Sequence, residues 1–182
     1  NLRLTAAPTA IPEVSIQCVP NSLPDSAGQQ SICKITANQP VTYALDVGLN
    51  LPANSRYTST CQPVMQIPAG QSSVQCRVDA VANVIPNDGN VPAVLQLQAD
   101  SQTPARYSLG SESSSTVMIT DDDPVPVLNV QCTPNTLNDA PNQQAFCTIS
   151  AAEPVVSAVS VSFDLPSNPR YTSNCISPFA WS

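Results

Sequence analysis

"QCVPNSLPDSAGQQSICKITA", residues Gln17–Ala37, decides the fold class and the organisation of the chain. Its flanks alternate apolar and polar: "VSIQCV" (Val14–Val19) leads in and "SICKITA" (Ser31–Ala37) leads out. Period two with β-branched residues means strands. The middle, "PNSLPDSAG", supplies the breakers of a turn. The whole segment then recurs as "QCTPNTLNDAPNQQAFCTISA" from Gln131, 114 residues on.

That offset holds without gaps over a longer stretch. It relates Cys18 to Cys132, Cys33 to Cys147 and Cys61 to Cys175. It also relates "LPANSRYTSTC" (Leu51–Cys61) to "LPSNPRYTSNC" (Leu165–Cys175). The chain is therefore read as an internal repeat. Residues 1–11 form an N-terminal extension, 12–123 a complete copy and 124–182 an incomplete one. "ISPFAWS" after Cys175 no longer resembles "QPVMQIP" after Cys61.

Further strands are predicted at Val41–Leu49, Ser73–Val81, Val91–Ala99 and Ser115–Thr120. The Asp-Gly of "PNDGN" (Pro86–Asn90) is a hairpin signal. Pro92 marks an edge strand or the first residues of a strand. No window favours helix. Six or seven short strands in roughly 110 residues make an all-β chain built as an antiparallel β-sandwich. Aromatic residues are only 4% of the chain, so its core must be Val, Ile and Leu.

Composition narrows the function classes. The formal charge of −7 argues against nucleic acid, whose phosphates need a basic face. No run is long and apolar enough for membrane insertion, and the chain reads as a mature or excised piece. Histidine is absent, which removes Ser-His-Asp and Cys-His chemistry. No nucleophile–base pair, phosphate loop or acid pair on separate strands emerges, so no catalytic residue is assigned and the chain reads as a non-enzyme.

Seven cysteines without a CxxC pair read as disulfides of an oxidising compartment, and so as a secreted or cell-surface protein. In the complete copy, Cys18 ends one strand and Cys33 opens the next, while Cys61 and Cys76 flank "IPAG". The expected pairs are Cys18–Cys33, Cys61–Cys76 and, by the repeat, Cys132–Cys147. Cys18–Cys76 with Cys33–Cys61 is the alternative weighed against them. Cys175 is left unpaired within this chain, because its partner would fall beyond Ser182.

"IPAGQSSVQCRV" (Ile67–Val78), "NDGNVPAVLQLQ" (Asn87–Gln98) and "STVMITDDDP" (Ser115–Pro124) together resemble the Calx-beta domain. The match covers the first copy, and the second only through its sister. The resemblance implies a seven-stranded, immunoglobulin-like sandwich in tandem copies. It also implies a calcium site at the end bearing Asp121, Asp122 and Asp123, joined by Asp88 and by Glu13 near the domain start. Asn83 and Asn87 would be weaker ligands. The sequence is poorer in acids than the family pattern before the penultimate strand. The triad therefore keeps two readings: a solvated, self-repelling joint, or a calcium site that stiffens the junction before "PVPV". No cofactor is required on the first reading.

Arg56-Tyr57 recurs as Arg170-Tyr171. It reads as a packing and hydrogen-bonding pair at a sandwich corner in preference to a ligand-stacking pair. The leading functional expectation is a non-catalytic repeat module of an adhesin stalk or fibre, a disulfide-stapled rod. The alternative is a calcium-responsive binding module. Expected partners are neighbouring copies. The alternating "NLRLTAA" (Asn1–Ala7), with Leu2 and Leu4, and the tail with Trp181 are candidates for contacting another chain through strand complementation of residues 124–182.

Overall fold

The computed structural model describes residues 10–155 and 158–181. Contacts divide the chain into two units. One runs to Asn83 and resumes from Asp88 to Asp122; the other takes Val84–Asn87 and begins again at Asp123. Leu2 and Leu4 lie outside the described residues.

The first unit contains β1 (Glu13–Val19), β2 (Ser22–Pro24), β3 (Gln30–Ala37), β4 (Leu45–Asn50), β5 (Tyr57–Ser59), β6 (Val64–Ile67), β7 (Ser73–Ala80), β8 (Val91–Leu97), β9 (Ser108–Leu109) and β10 (Ser114–Thr120). One sheet has the order β5-β7-β3-β1-β9 and the other β2-β10-β8-β4-β6. The result is an all-β, immunoglobulin-like sandwich. Most pairs are antiparallel; β1 with β9 and β2 with β10 are short parallel exceptions.

Alternation becomes burial. Every second residue of β1 (Val14, Ile16, Cys18) and of β3 (Cys33, Ile35, Ala37) is buried. Opposite them stand Ala93, Leu95 and Leu97 of β8 with Val117 and Ile119 of β10, all in one apolar cluster. Small branched side chains from two facing sheets fill this space without large aromatic rings. Ser31 is the inward exception, and its hydroxyl donates to the Pro20 carbonyl at 2.6 Å.

Two features differ from the sequence expectation. The Asp-Gly segment is not a hairpin: β7 and β8 lie in different sheets, so Val81–Asn90 is a crossing loop. Asn87 and Gly89 still take the positive φ (59° and 85°) that such turn residues permit. The strand expected from Val41 begins only at Leu45. Val41 is buried, but its backbone is tied to Gly70 and Gln71 by hydrogen bonds of 2.7 and 2.9 Å. Pro92 is the second residue of β8, among the first residues of a strand as expected, although that strand is an interior one. It is tolerated because β4 meets β8 only at Gln96 and Leu97, leaving that side of Pro92 without a ladder partner. The Pro68-Ala69-Gly70 turn closes with a Gln71 N–H to Pro68 carbonyl bond of 3.0 Å, and Gly70 has φ +80°. This is the type II geometry that selects glycine.

The second unit holds β11 (Leu128–Thr133), β12 (Phe146–Ala151), β13 (Val159–Val161) and β14 (Phe179–Trp181). β11 faces β12 with Cys132 opposite Cys147, the register in which β1 faces β3. β13 faces β14 with Val159 opposite Trp181, and β4 faces β6 with Leu45 opposite Ile67, the equivalent positions. Phe179–Trp181 thus keeps the backbone pairing of Met65–Ile67 although the sequence has diverged. The setting differs sharply, however. Val130, equivalent to Ile16, is 63% exposed, against 2% for Ile16.

Candidate functional site

Two disulfides cross one sheet side by side. Cys18 is bonded to Cys33, and Cys61 to Cys76. Cys33 stands directly opposite Cys76 in the β3–β7 register. The cysteines therefore form a row, 18-33-76-61, that ties β1 to β3 and the segment after β5 to β7. A third disulfide joins Cys132 to Cys147, and Cys175 is free and exposed.

At one end of the sandwich lies a carboxylate cluster. Its centre is Asp25, just after β2, which the sequence reading had passed over as part of a breaker run. The Asp25 N–H donates to the Thr120 carbonyl at 2.9 Å, so the end of β10 fixes it in place. Its side chain is fully buried. One carboxylate oxygen each of Asp25, Asp88 and Asp121 lies within 4.8 Å of the others. Asp122 directs its backbone N–H at Asp25 Oδ1, 3.3 Å away. Asp123 is the first residue of the second unit beyond that boundary.

Arg56 stands among these acids. One terminal guanidinium nitrogen is 2.5 Å from Asp25 Oδ2 and the other is 2.5 Å from Asp88 Oδ2. Asn83 donates its amide to the same Asp25 oxygen at 2.7 Å, so it acts as a donor where an oxygen ligand was expected. Burial acts to raise the Asp25 carboxyl. Its hydrogen bonds with Asp122, the Arg56 charge and the Asn83 amide together hold it below the ordinary carboxylate range.

Glu13 is not brought to this cluster. It opens β1, while Asp25 follows the strand's far end, and β1 spans about 20 Å. The Glu13 carboxylate lies over Gly110, where an added Cβ would meet Oε1 at 2.9 Å. The crossover from β1 to β2 brings Asp25 to the triad's end of the sandwich. The repeat contained this signal, because Asp25 recurs as Asp139 and Arg56 as Arg170. The second unit pairs them again: Arg170 donates to Asp139 at 3.0 Å, on the surface.

Arg56-Tyr57 forms a corner. The Arg56 N–H donates to Asn54 Oδ1 at 2.8 Å, and the buried Tyr57 hydroxyl donates to the Pro52 carbonyl. Arg170 and Tyr171 repeat both bonds with Asn168 and Pro166. A second buried acid, Asp100, is clasped by the backbone N–H and guanidinium of Arg106.

The clustered carboxylates are hard oxygen donors of the kind calcium takes. With the guanidinium spanning two of them, the ordinary positive partner of Asp25 and Asp88 is a side chain of the chain itself. The side chain of Trp181 lies outside the described residues.

No family model matches the chain, and no curated protein matches it. Among solved structures, CBD12 from CALX1.2 is similar, with a TM-score of 0.46 and 15% identity. The similarity covers 60% of this chain and 44% of that one, so the chain spans less than half the length of the structure it matches.

Proposed function

We propose that the chain is a non-catalytic structural module of an extracellular or cell-surface protein, a disulfide-stapled segment of a stalk or fibre. The observation that carries this reading is the cysteine row 18-33-76-61 across one sheet. A row of this kind resists shear between neighbouring strands and is favoured in an oxidising compartment. The formal charge of −7 and the lack, among the described residues, of a helix long and apolar enough to cross a membrane are compatible with it.

Neighbouring copies of the repeat are the proposed partners. Val130 is an exposed apolar residue on the face of the β11–β12 hairpin that corresponds to the buried face of β1 and β3, a face suited to a further β-element. The segment bearing Leu2 and Leu4, or the tail bearing Trp181, would provide contacts between chains. Folding the chain with and without reductant tests the structural reading. Protease resistance that falls under reducing conditions is expected; equal resistance in both would count against a stapled extracellular module. A second reading, a calcium-responsive junction, draws on the 4.8 Å clustering of Asp25, Asp88 and Asp121.

A further inference from the structure

We propose that Arg56 is the built-in counter-cation of the carboxylate cluster, standing where a divalent ion would otherwise be needed. The first unit then locks its acidic end without calcium. The inference deepens the structural reading above and rests on it.

The argument is one of charge and geometry. Asp25 is wholly buried, and a buried carboxylate needs a positive partner or hydrogen bonds to stay ionised. Asp88 and Asp121 crowd it, which by itself favours either a proton or a cation. Arg56 meets the need with both terminal nitrogens, one to Asp25 and one to Asp88, each at 2.5 Å. A planar fork suits two carboxylates better than a point charge does. The Asn83 amide and the Asp122 N–H take further lone pairs of Asp25. An entering dication would have to displace the guanidinium and compete with both donors.

The position is also specified locally. Arg56 directly precedes β5, its N–H is held by Asn54, and the next residue is the buried corner tyrosine. The side chain is 15% exposed and its Nε is buried without a hydrogen-bond partner. The fold accepts that deficit, consistent with selection of the guanidinium for its two outer nitrogens. One guanidinium, carried on the approach to β5, thus ties the turn after β2 to the crossing loop before β8. These are two of the three segments whose carboxylates cluster, the third being the end of β10 with Asp121. The Arg170–Asp139 pair places the same two residue types together in the second unit.

The test is thermal unfolding of the full chain and its variants in EDTA and in 10 mM calcium, with sodium chloride matched for ionic strength. Wild type should be indifferent to calcium, with Tm moving by less than about 2 °C. Arg56→Met should lose about 10–20 °C in EDTA, because it leaves a buried carboxylate without its partner. Calcium should return roughly 5–15 °C of that loss, as expected for a site of sub-millimolar affinity. Arg56→Lys keeps the charge and should stay calcium-insensitive. A rise of several degrees with calcium in wild type would overturn the proposal. So would an Arg56→Met protein that calcium does not restore, or one as stable as wild type in EDTA. If Arg56→Met does not fold, the wild-type and Arg56→Lys titrations still decide. The structural-module reading fails separately, by protease resistance that ignores reductant.

Discussion

Asp25 shows why single residues of the acidic end were hard to read. In the sequence it is one acid in "PNSLPDSAG", where turn-forming residues surround it. Only the crossover of the chain from β1 in one sheet to β2 in the other brings it beneath Thr120 and next to Asp122. Arg56 was visible as half of a repeated pair, but its target lay 31 positions away. Periodicity does not report such partners, and the 114-residue offset marks Asp25 and Arg56 as repeated without pairing them. The acids also set a pH response. Asp25 and Asp100 are both held below the ordinary carboxylate range, Asp100 chiefly by its hydrogen bond with the Arg106 side chain. A depressed folded-state value means that the unfolded chain takes up protons first. Stability should therefore be level above about pH 4 and fall as pH drops through the depressed values. Urea midpoints measured from pH 7 to pH 2 should show that decline; a midpoint constant to pH 2 would contradict it.

Among the elements, legibility followed length. The seven- and eight-residue strands β1, β3, β7, β8 and β10 declared themselves by alternation, with ends within two residues of expectation. β2, β5, β6 and β9 have two to four residues each, too few for a period to emerge. Their places are fixed by what they cover: β6 closes one edge over β4, and β5 docks on β7. The Asp-Gly turn misled for a related reason. Local chemistry selects a reversal of the chain, but whether the chain re-enters the same sheet depends on which apolar face needs covering. The cysteine row carries the prediction at this scale. Replacing Cys18 and Cys33 together by Ala removes a link across 15 residues of sequence, and stability should fall by roughly 3 kcal/mol. The fold should survive, because Ile35, Val78 and Leu95 still pack. Chemical denaturation of the double variant checks this; a loss under about 0.5 kcal/mol would mean that the staple constrains little.

At the scale of the whole molecule, one repeat gives two different outcomes. Ile16 and Val130 occupy the same place in the 114-residue offset and the same place in a cysteine-paired hairpin. Ile16 is covered by the opposing sheet, whereas Val130 is open to solvent. Ile16→Ala should cost about 2–4 kcal/mol in denaturant unfolding, while Val130→Ala should cost under about 0.5 kcal/mol. Equal costs would mean that both faces are covered. Sequence similarity alone could not separate these positions, since burial depends on which strands are present to face them.

The stapled-module account is tested most directly by stretching single molecules of the full chain with and without reductant. Each first-unit disulfide spans a sequence separation of 15, so together they withhold roughly 30 residues from extension. The account predicts one force-resisting unfolding event from the first unit, whose length gain grows by about 100 Å when the disulfides are reduced. A first unit that extends without a resolvable force event, or one whose length gain is the same in both conditions, would contradict it.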